Sequence, residues 1–361
     1  MKKTLIAVAA LSAMACSAMA AQVTVYGKVD QGLQVNHSKV TDQESTTTWA
    51  GKSGISSGSR WGLKGTEEIA EGYVVGFKLE SGFDGFTGKS GQGNRLFGRD
   101  AYLSLDTPFG QFVAGRTGTL TDGCTGDIIS GPSSPFGTSY GIAAATSNTF
   151  SDHISRTDNA VRYVSPKFAG FQLHAEYANM NSGKTASTKQ RYGGIGVSYA
   201  NGPLYVAIAG ETVREAASST ADNPKLLSLA ANYDFGVVKV YGGYQYAKDT
   251  QPAAALLEIN EELGDAFTPD KYHAGTLGIS APIGNGTLMA SIAYRDGDAE
   301  ILGVNTDWKQ MFGAIGYKYN LSKRTYLYTD IAYTKVTIEP DNVSKITSKT
   351  TQFNVGLCHN F

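Results

Sequence analysis

Hydrophobic and polar residues alternate along the end of the chain, TTQFNVGLCHNF at 350–361. Phe353, Val355, Leu357 and Phe361 share one parity, and the residues between them are mainly polar or small. Because successive side chains of a β-strand point to opposite faces, this pattern predicts one strand with an apolar face and a polar face.

The same alternation recurs in segments of about ten residues, a length that lets a tilted strand cross a bilayer. Clear examples are VTVYGKVDQGL at 23–33, YVVGFKLESGFD at 73–84, FQLHAEYA at 171–178 and TYLYTDIAYTKV at 325–336. Repeated two-faced strands of this length predict a transmembrane β-barrel with lipid outside and water inside.

Short and long connections alternate between these segments. Short turns are expected at 68–72, 106–110, 166–170, 200–203, 234–236, 281–286 and 320–324. Long polar loops are expected near 38–55, 85–95, 120–157, 181–189, 214–224, 250–272, 297–308 and 337–349. Eight loops and seven turns join sixteen strands, so we predict an all-β fold, a transmembrane 16-stranded antiparallel β-barrel. A soluble sandwich would show the same two-residue period, but it gives no reason for loop lengths to alternate.

The first twenty residues have the features of a secretory signal peptide. Lys2 and Lys3 form a basic start, an apolar run follows, and Ala18-Met19-Ala20 supplies a cleavage site, so residues 1–20 are expected to be removed. A lipoprotein anchored at Cys16 is the less favoured alternative. Residues 21–361 then form one barrel domain, and a helical piece is expected at 254–263 within the sixth loop.

Charge and cysteine content narrow the function classes. Loss of Lys2 and Lys3 with the leader leaves 29 basic and 32 acidic side chains, a net charge of −3, which argues against nucleic acid as the main partner. Two cysteines remain, Cys124 and Cys358. Secretion permits a disulfide between them, although two unpaired thiols is the preferred interpretation.

The residues give no sign of an enzyme or a cofactor site. His174 has the polar parity of its strand, whereas a lipid-active barrel enzyme would need its histidine outward, with a partner to orient it. No cluster has metal-ligand spacing, and GQGNRLFG at 91–98 lacks the strand–helix context of a phosphate-binding loop. We therefore expect a protein without catalytic residues, metal or cofactor.

An ordered set of segments resembles the trimeric Gram-negative porins, in particular the beta-proteobacterial and neisserial type. The segments are VTVYGKVDQGL (23–33), SRWGLKGTEE (59–68), FKLESGFD (77–84), LFGRDAYLSL (96–105), FVAGRTGT (112–119), RTDNAVRYVSPKFAGF (156–171) and YNLSKRTYLY (319–328), with the terminal Phe361. The resemblance implies a homotrimer of barrels in the outer membrane that lets small hydrophilic solutes and ions diffuse passively. It also implies that Phe361 is the signal read by the membrane-insertion machinery. A substrate-specific channel and a surface adhesin or receptor of the same fold are the alternatives.

Selectivity in so wide a barrel requires a narrowing. The longest loop, 120–157, is expected to fold into the lumen, as the third loop does in the resembled family, and its Pro135-Phe136-Gly137 patch suits packing against the inner wall. The chain departs here from the enteric-type porins, whose third-loop motif carries a glutamate between this proline and phenylalanine, since here there is none.

The resemblance and the strand parity together select candidate charged residues for the narrowing. The resemblance implies basic wall residues at Lys28, Arg60, Arg99 and Arg156. Parity supports Lys28, Arg60 and Lys64, but it points Arg99 outward unless a bulge near Gly98 restores an inward aim.

Further charged residues complete the candidate set. Arg116 and Arg162 are expected to brace the ends of the third loop through ion pairs, and Asp122 and Asp127 are the candidate acidic residues of that loop, with Asp152 behind them. Fewer acidic than basic groups predicts a mild preference for anions.

Overall fold

The computed structural model describes residues 23–121, 125–144, 149–150, 154–180, 190–216, 222–250, 267–301, 304–342 and 344–361. Some sequence-based expectations lie outside these residues: the signal peptide at 1–20, the helical piece at 254–263, and the positions of Asp122, Cys124 and Asp152.

The described chain is dominated by antiparallel strands. They are β1 (Thr24–Val40), β2 (Thr46–Ser53), β3 (Arg60–Ala70), β4 (Tyr73–Gly82), β5 (Asp100–Thr107), β6 (Gly110–Gly118), β7 (Arg156–Val164), β8 (Phe171–Asn179), β9 (Arg191–Asn201), β10 (Leu204–Arg214), β11 (Lys225–Asp234), β12 (Lys239–Lys248), β13 (Phe267–Ile283), β14 (Gly286–Ile301), β15 (Val304–Asn320), β16 (Thr325–Pro340) and β17 (Ile346–Asn360). One short turn, α1 (Gly91–Asn94), has a left-handed backbone at Gln92, Gly93 and Asn94, and one 3-10 turn, Gly141–Ala143, lies in the third loop. No helix of the described chain is long and apolar enough to cross a membrane.

The seventeen segments form sixteen barrel strands. β2 and β3 lie end to end along β1, with Ser53 opposite Gln31 and Arg60 opposite Lys28, so they are two halves of one interrupted strand. β17 pairs with β1 along thirteen residue pairs, from Lys28–Asn360 to Val40–Ser348, and this pairing closes the sheet. The predicted 16-stranded antiparallel barrel is confirmed. The interruption at 54–59 was not foreseen.

The two faces of the wall follow the predicted alternation. In β17, Phe353 and Leu357 are each 42% exposed, whereas Asn354 and Cys358 are fully buried. The exposed apolar side chains point outward, where lipid covers them, and the polar side chains line the interior. Inward placement is favoured for charged residues because an Arg or Lys facing lipid at the bilayer midplane costs about 2–4 kcal/mol.

Tight turns join strands at one end of the barrel. Between β11 and β12, the Phe235 amide donates to Val238 O at 2.9 Å, and the Gly236 amide donates to the Asp234 carboxylate at 2.8 Å. Gly236 has φ +83°, a left-handed conformation that favours glycine. Five of the seven short connections fall within the predicted turns, and the other two, 165–170 and 235–238, extend beyond the predicted 166–170 and 234–236 by one and two residues.

Four expected long loops, the first, sixth, seventh and eighth, are shorter in the structure. β14 runs to Ile301 and β15 begins at Val304, and β16 runs to Pro340 and β17 begins at Ile346, so strand pairing continues into the expected seventh and eighth loops. Antiparallel strands satisfy their backbone hydrogen bonds by pairing with each other. The sheet can therefore continue beyond the lipid, where polar side chains on both faces meet water. Hydrophobic periodicity gives no signal for such an extension.

The third loop folds back into the lumen and forms the interior packing of the barrel. Its apolar residues Leu120, Ile129, Phe136 and Phe150 are each at most 3% exposed. The wall provides room for them with alanines and glycines on its inward face: Ala207, Ala209, Ala230, Ala247, Gly243, Gly278 and Gly316. The loop is therefore held by packing as well as by hydrogen bonds.

Candidate functional site

The tip of the third loop packs against the inner face of β15 and β16. Phe136 lies in an apolar cluster with Phe312 and Tyr328, and its ring meets that of Tyr140 edge-on at 5.4 Å between centroids. The Ile142 amide donates to Gln352 on the wall at 2.9 Å. The Tyr140 side chain is buried in the same cluster, so its ring serves as packing for the loop tip.

Three arginines and the loop tip enclose one polar cavity of about 330 Å³ in the lumen. Arg60 comes from β3, Arg99 from the residue before β5, and Arg156 from the start of β7. Its remaining lining residues are Gly54, Ile55, Ser57, Gly58, Thr138, Ser139, Tyr140 and Gly141. The lining that the structure describes contains no carboxylate, so these positive charges dominate the local potential.

Lys28 adds a fourth positive charge beside this cavity. Its Nζ atom donates to the hydroxyl of Ser57 at 3.1 Å, and Nη2 of Arg60 donates to the same hydroxyl at 3.1 Å. Lys28 and Arg60 are also directly opposite each other in the β1–β3 pairing. One serine hydroxyl therefore holds two cations side by side at the edge of the cavity.

A wall carboxylate, Glu80 of β4, orients the arginines from behind. It accepts a hydrogen bond from Nε of Arg99 at 2.6 Å, and Lys78 and Arg60 lie within 3.5 and 4.0 Å of its oxygens. The Tyr26 hydroxyl donates to its other oxygen at 2.8 Å. The alternation in YVVGFKLESGFD puts Glu80 on the polar face of its strand, but parity alone does not indicate which arginines it meets.

Arg99 reaches the lumen for a reason other than the expected bulge. β5 begins at Asp100, so Arg99 stands outside the strand, and strict alternation does not apply to it. Its backbone amide still donates to Glu80 O at 3.1 Å, which keeps it beside the wall. The side chain can then turn inward and pair with the Glu80 carboxylate.

Lys64, Arg116 and Arg162 do not line the cavity. Lys64 lies on the lumen parity of β3 with its Nζ 5.2 Å from the Tyr26 ring centroid. Arg116 donates to Gly98 O at 2.8 Å and pairs with Asp158 at 2.7 Å.

Arg162 is buried and braces the start of the third loop. Its Nε donates to Glu176 at 2.9 Å, and its Nη1 donates to Thr125 O at 2.7 Å. Its charge is thus paired with a wall carboxylate and does not face the water of the pore. Both arginines were expected to brace the ends of the third loop through ion pairs. Arg116 pairs with Asp158 of β7 and Arg162 pairs with Glu176, and of the two it is Arg162 that also bonds a third-loop carbonyl.

The acidic loop residue Asp127 has a local role instead of facing the basic cluster. Its carboxylate accepts hydrogen bonds from the amides of Ile129, Ser130 and Gly131 at 2.7–2.8 Å, which folds the loop backbone around it. It is absent from the described lining of the cavity. Asp122 lies outside the described residues, so the carboxylates that the structure places beside the basic residues belong to the wall.

The two chain-end features also have defined surroundings. The amide and carbonyl of Phe361 exchange hydrogen bonds of 3.0 and 3.1 Å with Gly27 of β1, which completes the closing pair of strands. Cys358 is buried and forms no disulfide within the described residues, from which Cys124 is absent. His174, inward as expected, lies 2.9 Å from the Ser198 hydroxyl through Nε2.

The arrangement suits selection of solutes by charge. Fixed cations stand around a water-accessible cavity, each held by a hydroxyl or carboxylate, and they act on mobile ions through their field. Within the described residues, no three His, Cys, Asp or Glu side chains group to hold a metal ion.

Comparisons with known proteins identify the family. The family model for Gram-negative porins matches residues 7–338. An outer membrane porin protein of Bordetella pertussis is 31% identical over the full length of both chains. The outer membrane porin protein 32 of Delftia acidovorans is 32% identical over 93% of this chain and 90% of its own.

A solved structure shares the fold. The anion-selective porin from Comamonas acidovorans matches with a TM-score of 0.68 at 24% identity, covering 94% of this chain and all of that one. The closed sixteen-stranded barrel, the third loop in its lumen and the match of the family model lead to one conclusion: this chain belongs to the Gram-negative porin family and forms a passive channel in the outer membrane.

Proposed function

We propose that this channel favours small anions over cations. The observation that supports the proposal is the convergence of Arg60, Arg99 and Arg156 on one cavity beside the third loop, without a carboxylate in its described lining. Lys28 adds a further charge at the cavity edge through its bond to Ser57. Anions passing this section gain favourable interaction, whereas cations are repelled.

The size of the preference follows from the dielectric environment. In water, two unit charges about 4 Å apart interact by about 1 kcal/mol, which corresponds to roughly a fivefold change in local ion concentration. Glu80 offsets part of the arginine charge because it lies within 4.0 Å of both Arg60 and Arg99. The expected preference is therefore moderate, and salt screening reduces it further.

A reversal-potential measurement tests the proposal. The purified protein in a planar bilayer under a potassium chloride gradient should give a potential of the sign that indicates chloride preference. Arg156→Gln should lower the chloride-to-potassium permeability ratio by about twofold or more, since it removes one unit charge from the cavity. Lys64→Gln removes a lumen charge outside the cavity and should have a smaller effect. Cation preference of the native channel, or equal effects of both variants, would contradict the proposal.

We also infer that three copies assemble in the outer membrane, as implied by the family. The exposed apolar outer face supports contact with lipid and with neighbouring barrels. Migration of unheated protein on a denaturing gel should show a species about three times the monomer mass that collapses on boiling. A single monomeric band from mild detergent would contradict a trimer.

We further propose that Phe361 marks the chain for the outer-membrane insertion machinery. The supporting observation is that Phe361 ends the closing strand and remains half-exposed on the barrel. Deletion of Phe361 should lower the amount of folded protein in the outer membrane, whereas Phe361→Tyr, which keeps an aromatic end, should preserve most of it. Equal insertion of both variants would exclude this role.

A further inference from the structure

The interruption of the second barrel strand forms an inward bulge of defined length. Between the pairs Gln31–Ser53 and Lys28–Arg60, β1 contributes two residues, whereas the second strand contributes six, Gly54 to Ser59. The second strand therefore carries four more residues than antiparallel pairing needs. Because four is even, the residues on either side of the bulge keep their inward and outward directions.

Hydrogen bonds close the neck of this bulge against the backbone of Asp30. The Gly54 amide donates to Asp30 O at 2.9 Å, and the Asp30 amide donates to the hydroxyl of Ser59 at 3.0 Å. The hydroxyls of Ser53 and Ser59 lie 2.9 Å apart across the neck. Gly54 turns the chain out of the strand with φ +76°. The six residues thus leave and rejoin the wall at one point.

The side chain of Asp30 holds the body of the bulge. Its carboxylate is fully buried and accepts hydrogen bonds from the Ser56 hydroxyl and the Ser57 amide at 2.7 Å each. The Tyr328 hydroxyl donates to its other oxygen at 2.6 Å. A buried carboxylate with three donors is strongly fixed, because charge-assisted hydrogen bonds are about twice as strong as neutral ones.

The bulge contacts both the third loop and the basic residues. The Ile55 carbonyl accepts a hydrogen bond from the Tyr140 amide, and the Ile55 side chain is buried in the cluster that contains Phe136. On its other side, Ser57 Oγ accepts the hydrogen bonds from Lys28 and Arg60. Gly54, Ile55, Ser57 and Gly58 form part of the cavity lining.

We propose that this bulge, residues 54–59, is a second constriction element of the channel. It narrows the lumen from the β1–β3 side, supports the third loop through Ile55, and fixes Lys28 and Arg60 through Ser57. The pore section at the basic cluster is thus set by two segments that meet inside the barrel. The selectivity part of this inference rests on the proposed anion preference, whereas the conductance part does not.

Removal of the bulge tests the conductance part. Deletion of residues 55–58 leaves Gly54 and Ser59 opposite Asp30 and Val29, which restores a continuous strand with unchanged parity. Single-channel conductance in one molar potassium chloride should rise, because the lumen loses four inward residues. A folded trimer with native conductance would overturn the proposal. This outcome does not depend on which ion the native channel prefers.

The single substitution Ser57→Ala tests whether the bulge positions the basic residues. It also tests the role of the bulge if the deletion variant fails to fold. Ser57→Ala removes the shared acceptor without a change of net charge. The chloride-to-potassium permeability ratio should fall by about twofold, since retreat of a unit charge from about 4 to about 8 Å halves its interaction with a passing ion in water.

The matched control is Ser38→Ala, which removes a hydroxyl of β1 that lies 3.1 Å from Thr350 Oγ1. It should leave the ratio at its native value. Identical ratios for Ser57→Ala and the native channel would overturn the positioning role. If the native channel proved cation-selective, the proposed anion preference would be wrong. The deletion experiment would still test whether the bulge narrows the lumen.

Discussion

Nε of Arg99 lies 2.6 Å from Oε1 of Glu80, and a backbone hydrogen bond of 3.1 Å joins the same two residues. The pair stands where the β4–β5 pairing ends, so the guanidinium is turned into the lumen instead of toward lipid. Glu80 therefore orients an arginine and also reduces the positive charge that passing ions meet.

Neutralising Glu80 should strengthen anion preference. Glu80→Gln keeps the size of the side chain and removes one negative charge near Arg99 and Arg60, so the chloride-to-potassium permeability ratio should rise by roughly twofold. Reversal potentials measure the change. Asp158→Asn is the control, because Asp158 pairs with Arg95 and Arg116 away from the cavity and should leave the ratio unaltered. A lower ratio for Glu80→Gln would show that its orienting role outweighs its charge.

A methyl group on the inner wall should displace the tip of the third loop. A Cβ at Gly278 would lie 2.5 Å from Cδ of Pro135, a rigid side chain, so Gly278→Ala forces the loop to move. Overpacking of this kind costs about 1–3 kcal/mol. Single-channel records should show altered conductance and more frequent closures. Gly275→Ala on the same strand meets no atom within 4 Å and should behave as native; equal behaviour of both variants would contradict the prediction.

The buried pair Arg162–Glu176 should contribute to stability through charge compensation. Arg162→Met leaves the Glu176 carboxylate buried without its cation and should lower the free energy of unfolding by about 3–5 kcal/mol. The double variant Arg162→Met, Glu176→Met should recover much of that loss, since no lone charge remains. Urea unfolding in detergent measures both values. A double variant as unstable as the single one would indicate that the bond from Arg162 to Thr125 O in the third loop dominates.

Arg295 should immobilise the far end of the third loop. Its guanidinium carbon lies 4.5 Å from the Trp308 ring centroid and 5.0 Å from that of Tyr272, and it donates to Thr149 O at 3.2 Å. Arg295→Gln loses a desolvated cation–π contact of about 2 kcal/mol. In a background in which Trp49 and Trp61 are phenylalanine, iodide should then quench Trp308 fluorescence more strongly.

The control for this experiment is Arg191→Gln, which changes an exposed arginine of β9. It should leave the quenching of Trp308 at the value of the background protein. Unchanged quenching in Arg295→Gln would show that the loop end is held by other contacts.

Strand number, strand faces and the turn end of the barrel could be predicted because they are local properties. Alternation has a period of two residues, and a turn such as Asp234-Phe235-Gly236 carries its own conformational preference. Lys28 and Arg60 were assigned to the lumen on this basis, and both lie there. Arg99 could not be assigned in this way because it stands one residue outside its strand, where parity has no meaning.

The sequence by itself determined a two-faced strand repeated around a closed barrel, since the hydrophobic effect sorts alternate side chains between lipid and water. Only the tertiary structure decided which charges meet. Lys28, Arg60, Arg99 and Arg156 converge through barrel register and the path of the third loop, and Glu80 reaches two of them across strand pairs. The six-residue bulge at 54–59 could likewise not be predicted from the local sequence pattern, because its inward course depends on Asp30, which lies in another strand.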